Sequence, residues 1–316
     1  MDFVFCTRNL HNGAFGSEPG PTRFLQVPQA AATPDPSHAI TRRNWFDAVI
    51  AEAEVRRNPR TGRAVGDVLI YVHGYNTAQS LMLQRHRLIR AGLEALGYQG
   101  VVVSFDWPCA EAALNYLEDR TDAKLTAIRL VDDGVAPFSR LIDQGCEISV
   151  HLLAHSMGAY VVREAFDDAD DRPAVAATSW MVSQVILAAA DVSADSMGTS
   201  PKSSSLYRHC ARLTNYSNPF DSVLSISNMK RVGVSPRVGR IGLPVSAPAK
   251  AVNVDVGIYY DEHRAEFAGI VNPDHSWYFH DAQWLKDVHL TLQGEIDRDS
   301  IPTRFLANDK LYLRVD

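Results

Sequence analysis

The residues with the clearest chemical signature lie at positions 154–158, which read AHSMG. They follow an apolar run, residues 147–154, that predicts a strand, and they precede a helical pattern. A serine at such a turn, with small residues two positions away on each side, is typical of a nucleophile elbow. Ala154 and Gly158 are those small residues. The pattern predicts that Ser156 is the nucleophile of an acyl transfer, and a serine that only caps a helix is the alternative.

Acyl transfer places negative charge on a carbonyl oxygen, and fixed backbone N–H groups stabilise that charge. One donor is expected at Met157, directly after the nucleophile. The second is expected in a loop after an earlier strand, where the sequence reads HGYN at residues 73–76. We assign this second donor to Tyr75. Gly74, which lets the backbone turn, and Asn76, which shapes the loop, are predicted to be substrate-binding residues.

A histidine must take the proton of the serine, and the chain order that accompanies this kind of elbow is serine, acid, histidine. Four late histidines fit that order: His263, His275, His280 and His289. His275 is the preferred base, because it lies in a loop after a late strand and precedes the aromatic residues 277–279. His263, in a charged run, is second. His280 and His289 are interpreted as a helix cap and a packing residue.

Two aspartates could orient the histidine. Asp191 ends a predicted strand at residues 184–189, and Asp221 follows a weaker one at residues 212–216. We favour Asp221, because the acid usually lies one strand beyond the first position after the nucleophile helix. Capping of the following helix is the alternative role for Asp221.

The elements that position these residues alternate along the chain as strand and helix. Further apolar runs at residues 2–6, 67–72, 101–105 and 251–256 predict strands, and the last of these is expected to be the final strand of the sheet. The alternation predicts one α/β domain over residues 1–316: a doubly wound, mainly parallel sheet of about eight strands with helices on both faces. Ligands of such sheets bind beyond the carboxyl ends of the strands, where the candidate residues lie.

The surroundings of the site are less strongly patterned. Residues 8–42 are rich in Gly and Pro and are predicted to be a loop that covers the site, with residues 225–249 as a second candidate cover. No large cap domain is expected, because the segment where such a domain is usually inserted, between the strands that end near residues 189 and 216, is short. Trp107 follows a strand and is predicted to line the substrate pocket, with core packing as an equal alternative.

Composition excludes several classes of function. The chain has 316 residues and a net charge of -6, which weighs against nucleic acid as a partner. Four cysteines without a C-x-x-C pair, and the absence of metal or nucleotide motifs, predict no metal and no cofactor. No apolar run is long enough to span a membrane. The N-terminus does not resemble a secretory signal, so a cytoplasmic protein is expected. The sequence does not indicate an oligomeric state.

Together these motifs resemble the α/β hydrolases long catalogued as domain of unknown function 900. The segments that carry the resemblance are FVFCTRN at 3–9, YVHGYN at 71–76, FDWP at 105–108, LLAHSMGAY at 152–160, LAAADV at 187–192, NPFDSVLSIS at 218–227 and HSWYF at 275–279. The resemblance implies an α/β-hydrolase fold with Ser156, Asp221 and His275 as the triad and Asp191 as a supporting acid. Asp106 stands where the family usually has serine, and it is expected to alter the polarity of the substrate pocket.

The expected function is therefore that of a serine esterase. Such an enzyme cleaves a small-molecule carboxylic ester through an acyl-enzyme intermediate, and the absence of a cap favours small or medium acyl groups. An amidase, thioesterase or acyltransferase would use the same groups and stays open as an alternative. A non-catalytic binding protein of the same fold is the third hypothesis.

Overall fold

The computed structural model describes residues 1–109, 116–142, 147–176, 178–199, 204–229 and 235–315. Within these ranges one sheet contains twelve strands. The strands are β1 Asp2–His11, β2 Ala14–Val27, β3 Ala39–Ile40, β4 Glu54–Arg57, β5 Ala64–Val72, β6 Val101–Asp106, β7 Glu147–His155, β8 Val182–Ala188, β9 Cys210–Ser217, β10 Ala251–Asp255, β11 Arg304–Ala307 and β12 Lys310–Leu313.

Helices connect and cover the strands. The α-helices of the described residues are α1 Arg42–Ala53, α2 Gln79–Ala95, α3 Tyr116–Arg129, α4 Ala136–Ile142, α5 Met157–Asp171, α6 Pro173–Ala176, α7 Ser204–Arg208, α8 Ser222–Met229, α9 Val238–Ile241, α10 Gly257–His263, α11 Pro273–Ser276 and α12 Ala282–Gln293. Leu130–Val135 is a π-helix, and Pro36–His38, Ala194–Met197 and Trp277–His280 are 3-10 turns.

The sheet is mainly parallel, as predicted. Its order is β11-β12-β10-β9-β8-β7-β5-β6-β1-β2-β3, with β4 paired to β5. Eight of its strands run parallel to their neighbours, from β1 and β6 at one side to β10 and β12 at the other. The whole sheet is larger than the predicted eight strands, and of the eight parallel strands only β12 lies outside the predicted runs. The antiparallel strands β2, β3, β4 and β11 extend the parallel set, and of these only β2 is long.

Helices lie on both faces because the central strands are apolar on both faces. Successive side chains of a strand point to opposite faces, so Ile70 and Tyr71 of β5 enter different cores. Ile70 packs in a cluster with α1 and with Phe166 of α5. Tyr71 packs in the other cluster with α2 and with Trp284 of α12.

The prediction that residues 8–42 form a loop is wrong. Residues 14–27 are strand β2, which pairs antiparallel with β1 through two register shifts. Pro19 lies opposite Arg8, and β3 pairs with β2 only near Phe24 and Leu25. Among the described strands, only β3 pairs with the outer edge of β2, and an edge strand tolerates proline because no partner needs its missing N–H.

The sheet also continues past the strand that was expected to be its last. After β10 the chain returns through β11 and β12, and β12 pairs parallel with β10. Asn308 and Asp309 join β11 to β12, and their φ angles are 49° and 58°. Two consecutive residues with positive φ are typical of a tight hairpin turn. Four-residue strands carry too short a pattern for sequence-based detection.

Three of the cysteines, Cys6, Cys109 and Cys210, are buried free thiols, whereas Cys146 lies outside the described residues. Residues 116–142 are helical throughout, and residues 110–115 lie outside the described ranges. Among the described helices, none has the length and apolar character needed to cross a membrane.

Candidate active site

Ser156 lies in the sharp turn between β7 and α5. Its backbone has φ 55° and ψ -124°, a strained conformation for a residue with a side chain. Two backbone hydrogen bonds to the end of the neighbouring strand hold this turn. Ser156 N–H donates to Ala188 O at 3.0 Å, and Ser156 O accepts from Asp191 N–H at 3.0 Å. A Cβ on Gly158 would lie 2.4 Å from Val72 O. The second small position of the motif is therefore required by the close approach of α5 to β5.

The loop at residues 73–76 lies directly against this turn. A Cβ on Gly74 would lie 2.8 Å from Ser156 Cβ, so only glycine fits. Asn76 takes the left-handed conformation, with φ 50°, as the chain turns towards α2. Tyr75 and Asn76 line the cavity that contains Ser156, whereas Gly74 lies beneath it. Met157 is buried at the first position of α5.

His275 and Asp221 meet although 54 positions separate them. His275 Nδ1 lies 2.7 Å from Asp221 Oδ2, and both side chains are buried. The other carboxylate oxygen of Asp221 accepts from Leu224 N–H at 2.8 Å and so caps α8. The two oxygens of Asp221 thus make two different contacts, one with the His275 ring and one with the start of α8.

Ser156 and His275 line one cavity of about 530 Å³ at the carboxyl end of the parallel strands. Ser156 follows β7, Asp221 follows β9, and His275 lies after β10. Much of the remaining lining is aliphatic: Leu81, Val223, Leu224, Ile226, Ile270 and Val271. The structure thus brings the three predicted catalytic residues together beside an apolar space.

A known family matches the chain over residues 51–273. Its description is alpha/beta hydrolase of unknown function (DUF900). The chain belongs to this family. No curated protein matches the sequence of this α/β hydrolase.

Solved structures give more distant likenesses to the hydrolase. A cutinase-like protein from Cryptococcus sp. is 15% identical, with 75% of this chain and 96% of that one covered and a TM-score of 0.38. Aspergillus fumigatus lipase B is 14% identical, with 76% and 55% covered and a TM-score of 0.36. Phospholipase PlaB from Legionella pneumophila is 13% identical, with 78% and 68% covered and a TM-score of 0.33. Such distant likenesses do not extend to activity.

The alternative acid and base have other partners in the hydrolase. Asp191 lines the cavity, and its Oδ1 lies 2.8 Å from Nε of the buried Arg237. His263 Nδ1 lies 2.9 Å from Tyr259 O, and its ring stacks on that tyrosine, away from the cavity lining. His280 does line the cavity, and burial followed by the charge of Arg85 lowers the pKa of its ring.

Two residues at the end of β6, Asp106 and Trp107, do not lie where the sequence analysis predicts them. Trp107 is fully buried, donates its Nε1–H to His73 O at 2.9 Å and is absent from the cavity lining. Asp106 is also fully buried and pairs with Arg8. The predictions that Trp107 lines the substrate pocket and that Asp106 alters its polarity are wrong, because both side chains point below the loop at 73–76.

The predicted covers also differ from those found. None of residues 8–42 lines the cavity, because β2 and β3 lie at the far edge of the sheet. From 225–249 only Ile226 contributes, and residues 230–234 lie outside the described ranges. The rim is formed by α8 and by residues 269–272, where Ile226 and Val271 are exposed.

Sequence reasoning missed the contribution of α2. Leu81, Gln84 and Arg85 line the cavity from one face of this helix, and their spacing of three and four positions was the available signal. Arg85 is buried, donates from Nη2 to Ser276 Oγ at 2.9 Å and lies 4.8 Å from the Phe279 ring centre. It therefore holds the segment that carries the candidate base.

His155 supports the same segment from below. Its Nε2 lies 2.9 Å from the backbone oxygen of His275, so the proton of His155 belongs on Nε2. Burial, and then the neighbouring charges of His275 and Arg85, hold the pKa of His155 well below its ordinary value. His155 is therefore a neutral donor that fixes the backbone of His275.

Proposed function

We propose that this α/β hydrolase is a serine esterase that cleaves carboxylic esters through an acyl-enzyme on Ser156. The observation that carries the proposal is the 2.7 Å contact of His275 Nδ1 with Asp221 Oδ2, made by a histidine that shares a cavity with Ser156. A buried carboxylate on Nδ1 holds that nitrogen protonated and leaves Nε2 free to accept a proton.

The chemistry follows from these groups. Ser156 Oγ attacks the ester carbonyl carbon while its proton passes to His275 Nε2, and the carbonyl oxygen becomes an oxyanion. The N–H groups of Tyr75 and Met157 stabilise that oxyanion. His275 then gives the proton to the leaving alkoxide oxygen as the C–O bond breaks. Water, deprotonated by His275, attacks the acyl-enzyme and releases the acid and Ser156.

The lining of the cavity supports small and medium acyl groups as the substrate class. Its aliphatic side chains offer apolar surface, and the cavity volume of about 530 Å³ lies within the range of small-molecule sites. Asn76, Gln84 and Arg85 supply polar contacts at one side. These groups support a substrate with a polar alcohol part and an apolar acyl part.

The test is hydrolysis of p-nitrophenyl esters of increasing acyl length by the wild type and by Ser156→Ala. We expect the wild type to turn over and the variant to lose up to about 10⁶-fold in kcat, the loss measured in another serine hydrolase. Equal activity of both proteins would exclude Ser156 as the nucleophile. Matched thioester and anilide substrates, assayed in parallel, separate an esterase from a thioesterase or amidase.

A further inference from the structure

A buried charged cluster lies beneath the loop at residues 73–76, outside the cavity. We define it as Arg8, His73, Gln79 and Asp106. Asp106 Oδ1 lies 2.9 Å from Arg8 Nε and 3.3 Å from His73 Nε2, and its Oδ2 accepts from Gln79 Nε2 at 2.6 Å. Although burial alone would raise the pKa of Asp106, the Arg8 guanidinium and the His73 ring hold it well below its usual range. Asp106 is thus a carboxylate.

The hydrogen bonds of His73 determine where its proton lies. His73 Nδ1 is 2.8 Å from Gly74 O, and a carbonyl oxygen only accepts, so Nδ1 carries a proton. Nε2 faces both Asp106 Oδ1 and Trp107 N–H, each at 3.3 Å. It can therefore accept from Trp107 or, when protonated, donate to Asp106. Nδ1 donates to Gly74 O in either state.

The bond to Gly74 O fixes one peptide unit of the loop. Gly74 C=O and Tyr75 N–H belong to the same peptide group, and no peptide bond of the described residues is cis. In a planar trans peptide the C=O and the N–H point in opposite directions. Because His73 holds Gly74 O on the buried side, Tyr75 N–H points away from the cluster. Ser156 packs directly against Gly74.

We propose that His73 and Asp106 are positioning residues that orient the Gly74–Tyr75 peptide towards the oxyanion. This inference rests on the proposed function. His73 sets the direction of the peptide, Asp106 holds the His73 ring from its other edge, and Arg8 of β1 holds Asp106. Trp107 also holds the His73 ring by stacking on it, with 5.3 Å between the ring centres and 9° between the ring planes. The N-terminal strand is thereby linked to the loop beside the nucleophile.

The test uses a matched pair at His73. In His73→Asn the side-chain amide nitrogen stands at the same number of bonds from the backbone as Nδ1, so it can still donate to Gly74 O. In His73→Gln it stands at the place of Nε2. Loss of an oxyanion donor costs about 10²–10³-fold in kcat. We expect His73→Gln to approach that loss on p-nitrophenyl butyrate with little change in KM, and His73→Asn to stay within about tenfold of the wild type.

Asp106→Asn tests the support of the ring, with Asp287→Asn as its control. Asp287 is an equally buried carboxylate that pairs with Arg304, and neither residue lines the cavity. Both variants lose a buried charge and should melt at lower temperature. Only Asp106→Asn should lower kcat, at unchanged KM, when both are assayed well below their melting temperatures. Equal kcat in the two variants would overturn the role of Asp106.

A spectroscopic reading separates failure of this inference from failure of the proposed function. If the wild type hydrolyses no ester, the esterase proposal falls, and the His73 role is then judged by ¹⁵N NMR alone. We expect a protonated Nδ1 on His73 and a Tyr75 amide resonance that shifts in His73→Gln but stays near its position in His73→Asn. A bare Nδ1, or the same Tyr75 resonance in all three proteins, would overturn it.

Discussion

At the scale of single residues, two buried aspartates of the site differ by their partners. Asp221 contacts His275 through one oxygen and caps α8 through the other. Asp191 lies beside Arg237 and also helps to hold the backbone of Ser156. Asp221 is placed to orient the proposed base, His275, whereas Asp191 balances a buried guanidinium.

Asparagine substitutions distinguish these roles. Asp221→Asn keeps an oxygen for the helix cap but no longer holds His275 in the required tautomer, so we expect kcat to fall about 10⁴-fold. Asp191→Asn leaves Arg237 without its buried charge partner and should cost about 3–5 kcal/mol of unfolding free energy. Ester hydrolysis and urea denaturation measure the two effects. A larger loss of kcat in Asp191→Asn would reverse the assignment.

At the scale of elements, the elbow depends on how closely α5 approaches β5. Gly158→Ala would place a Cβ 2.4 Å from Val72 O and 2.6 Å from His73 O, both of which are backbone atoms. Overpacking of this kind costs about 1–3 kcal/mol or more. We expect a lower urea midpoint and a lower kcat, because the two sides of the site are pushed apart.

Gly269→Ala is the control for that substitution. A Cβ on Gly269 meets nothing within 4 Å, and its φ is not in the left-handed region. Its urea midpoint should match the wild type. Equal midpoints for Gly158→Ala and the wild type would show that the helix and strand can separate without cost.

Helix α2 is attached to the sheet through a buried histidine. His86 Nδ1 lies 2.8 Å from Ser104 Oγ of β6, and its Nε2 lies 3.6 Å from Asp2 Oδ1 of β1. Burial lowers the pKa of His86 from its ordinary value of 6.5 to about 4, and the neighbouring arginines lower it further, whereas Asp2 opposes the shift.

The depressed pKa of His86 predicts a pH dependence of stability. The unfolded chain binds this proton below about pH 6.5, whereas the folded protein resists it down to about pH 4. The free energy of unfolding should therefore fall as pH drops through that window, by on the order of 3 kcal/mol from this group. In His86→Asn, urea denaturation at several pH values should show a smaller decline. An unchanged decline would exclude His86 as a source.

At the scale of the whole molecule, the hairpin of β11 and β12 forms one edge of the sheet. Arg304 of β11 and Asp287 of α12 are fully buried together, with Nη2 and Oδ1 at 2.6 Å. Asp287 also accepts from Thr303 Oγ1 at 2.5 Å and from the hydroxyl of Tyr216 on β9. This cluster joins a late helix, the hairpin and the central sheet.

Arg304→Met breaks the pair and leaves Asp287 as an uncompensated buried charge. We expect a loss of about 3–5 kcal/mol in unfolding free energy with kcat unchanged, because the cluster does not line the cavity. The exposed pair Arg43–Asp47, at 3.8 Å, gives the control Arg43→Met, which should not change the urea midpoint measurably. Equal midpoints in both variants would contradict the assignment.

The sequence by itself determined the features that depend on neighbours along the chain. The apolar runs predicted every parallel strand except β12, and the elbow at 154–158 and the loop at 73–76 are recognisable because each follows such a run directly. These patterns are local: a strand, a tight turn and a helix leave a continuous record of residue types. The edge strand β2 was predicted to be a loop, because its Gly and Pro content is tolerated in a strand only at the edge of a sheet.

Only the tertiary structure decided which distant groups meet. Asp221 and Asp191 both follow strands, and nothing local shows which of them reaches His275. Asp106 ends a strand and Trp107 follows it, yet both side chains lie below the loop, where they contact Arg8 and His73. The direction of a side chain at a strand end is set by what packs around it, and those partners come from other parts of the chain.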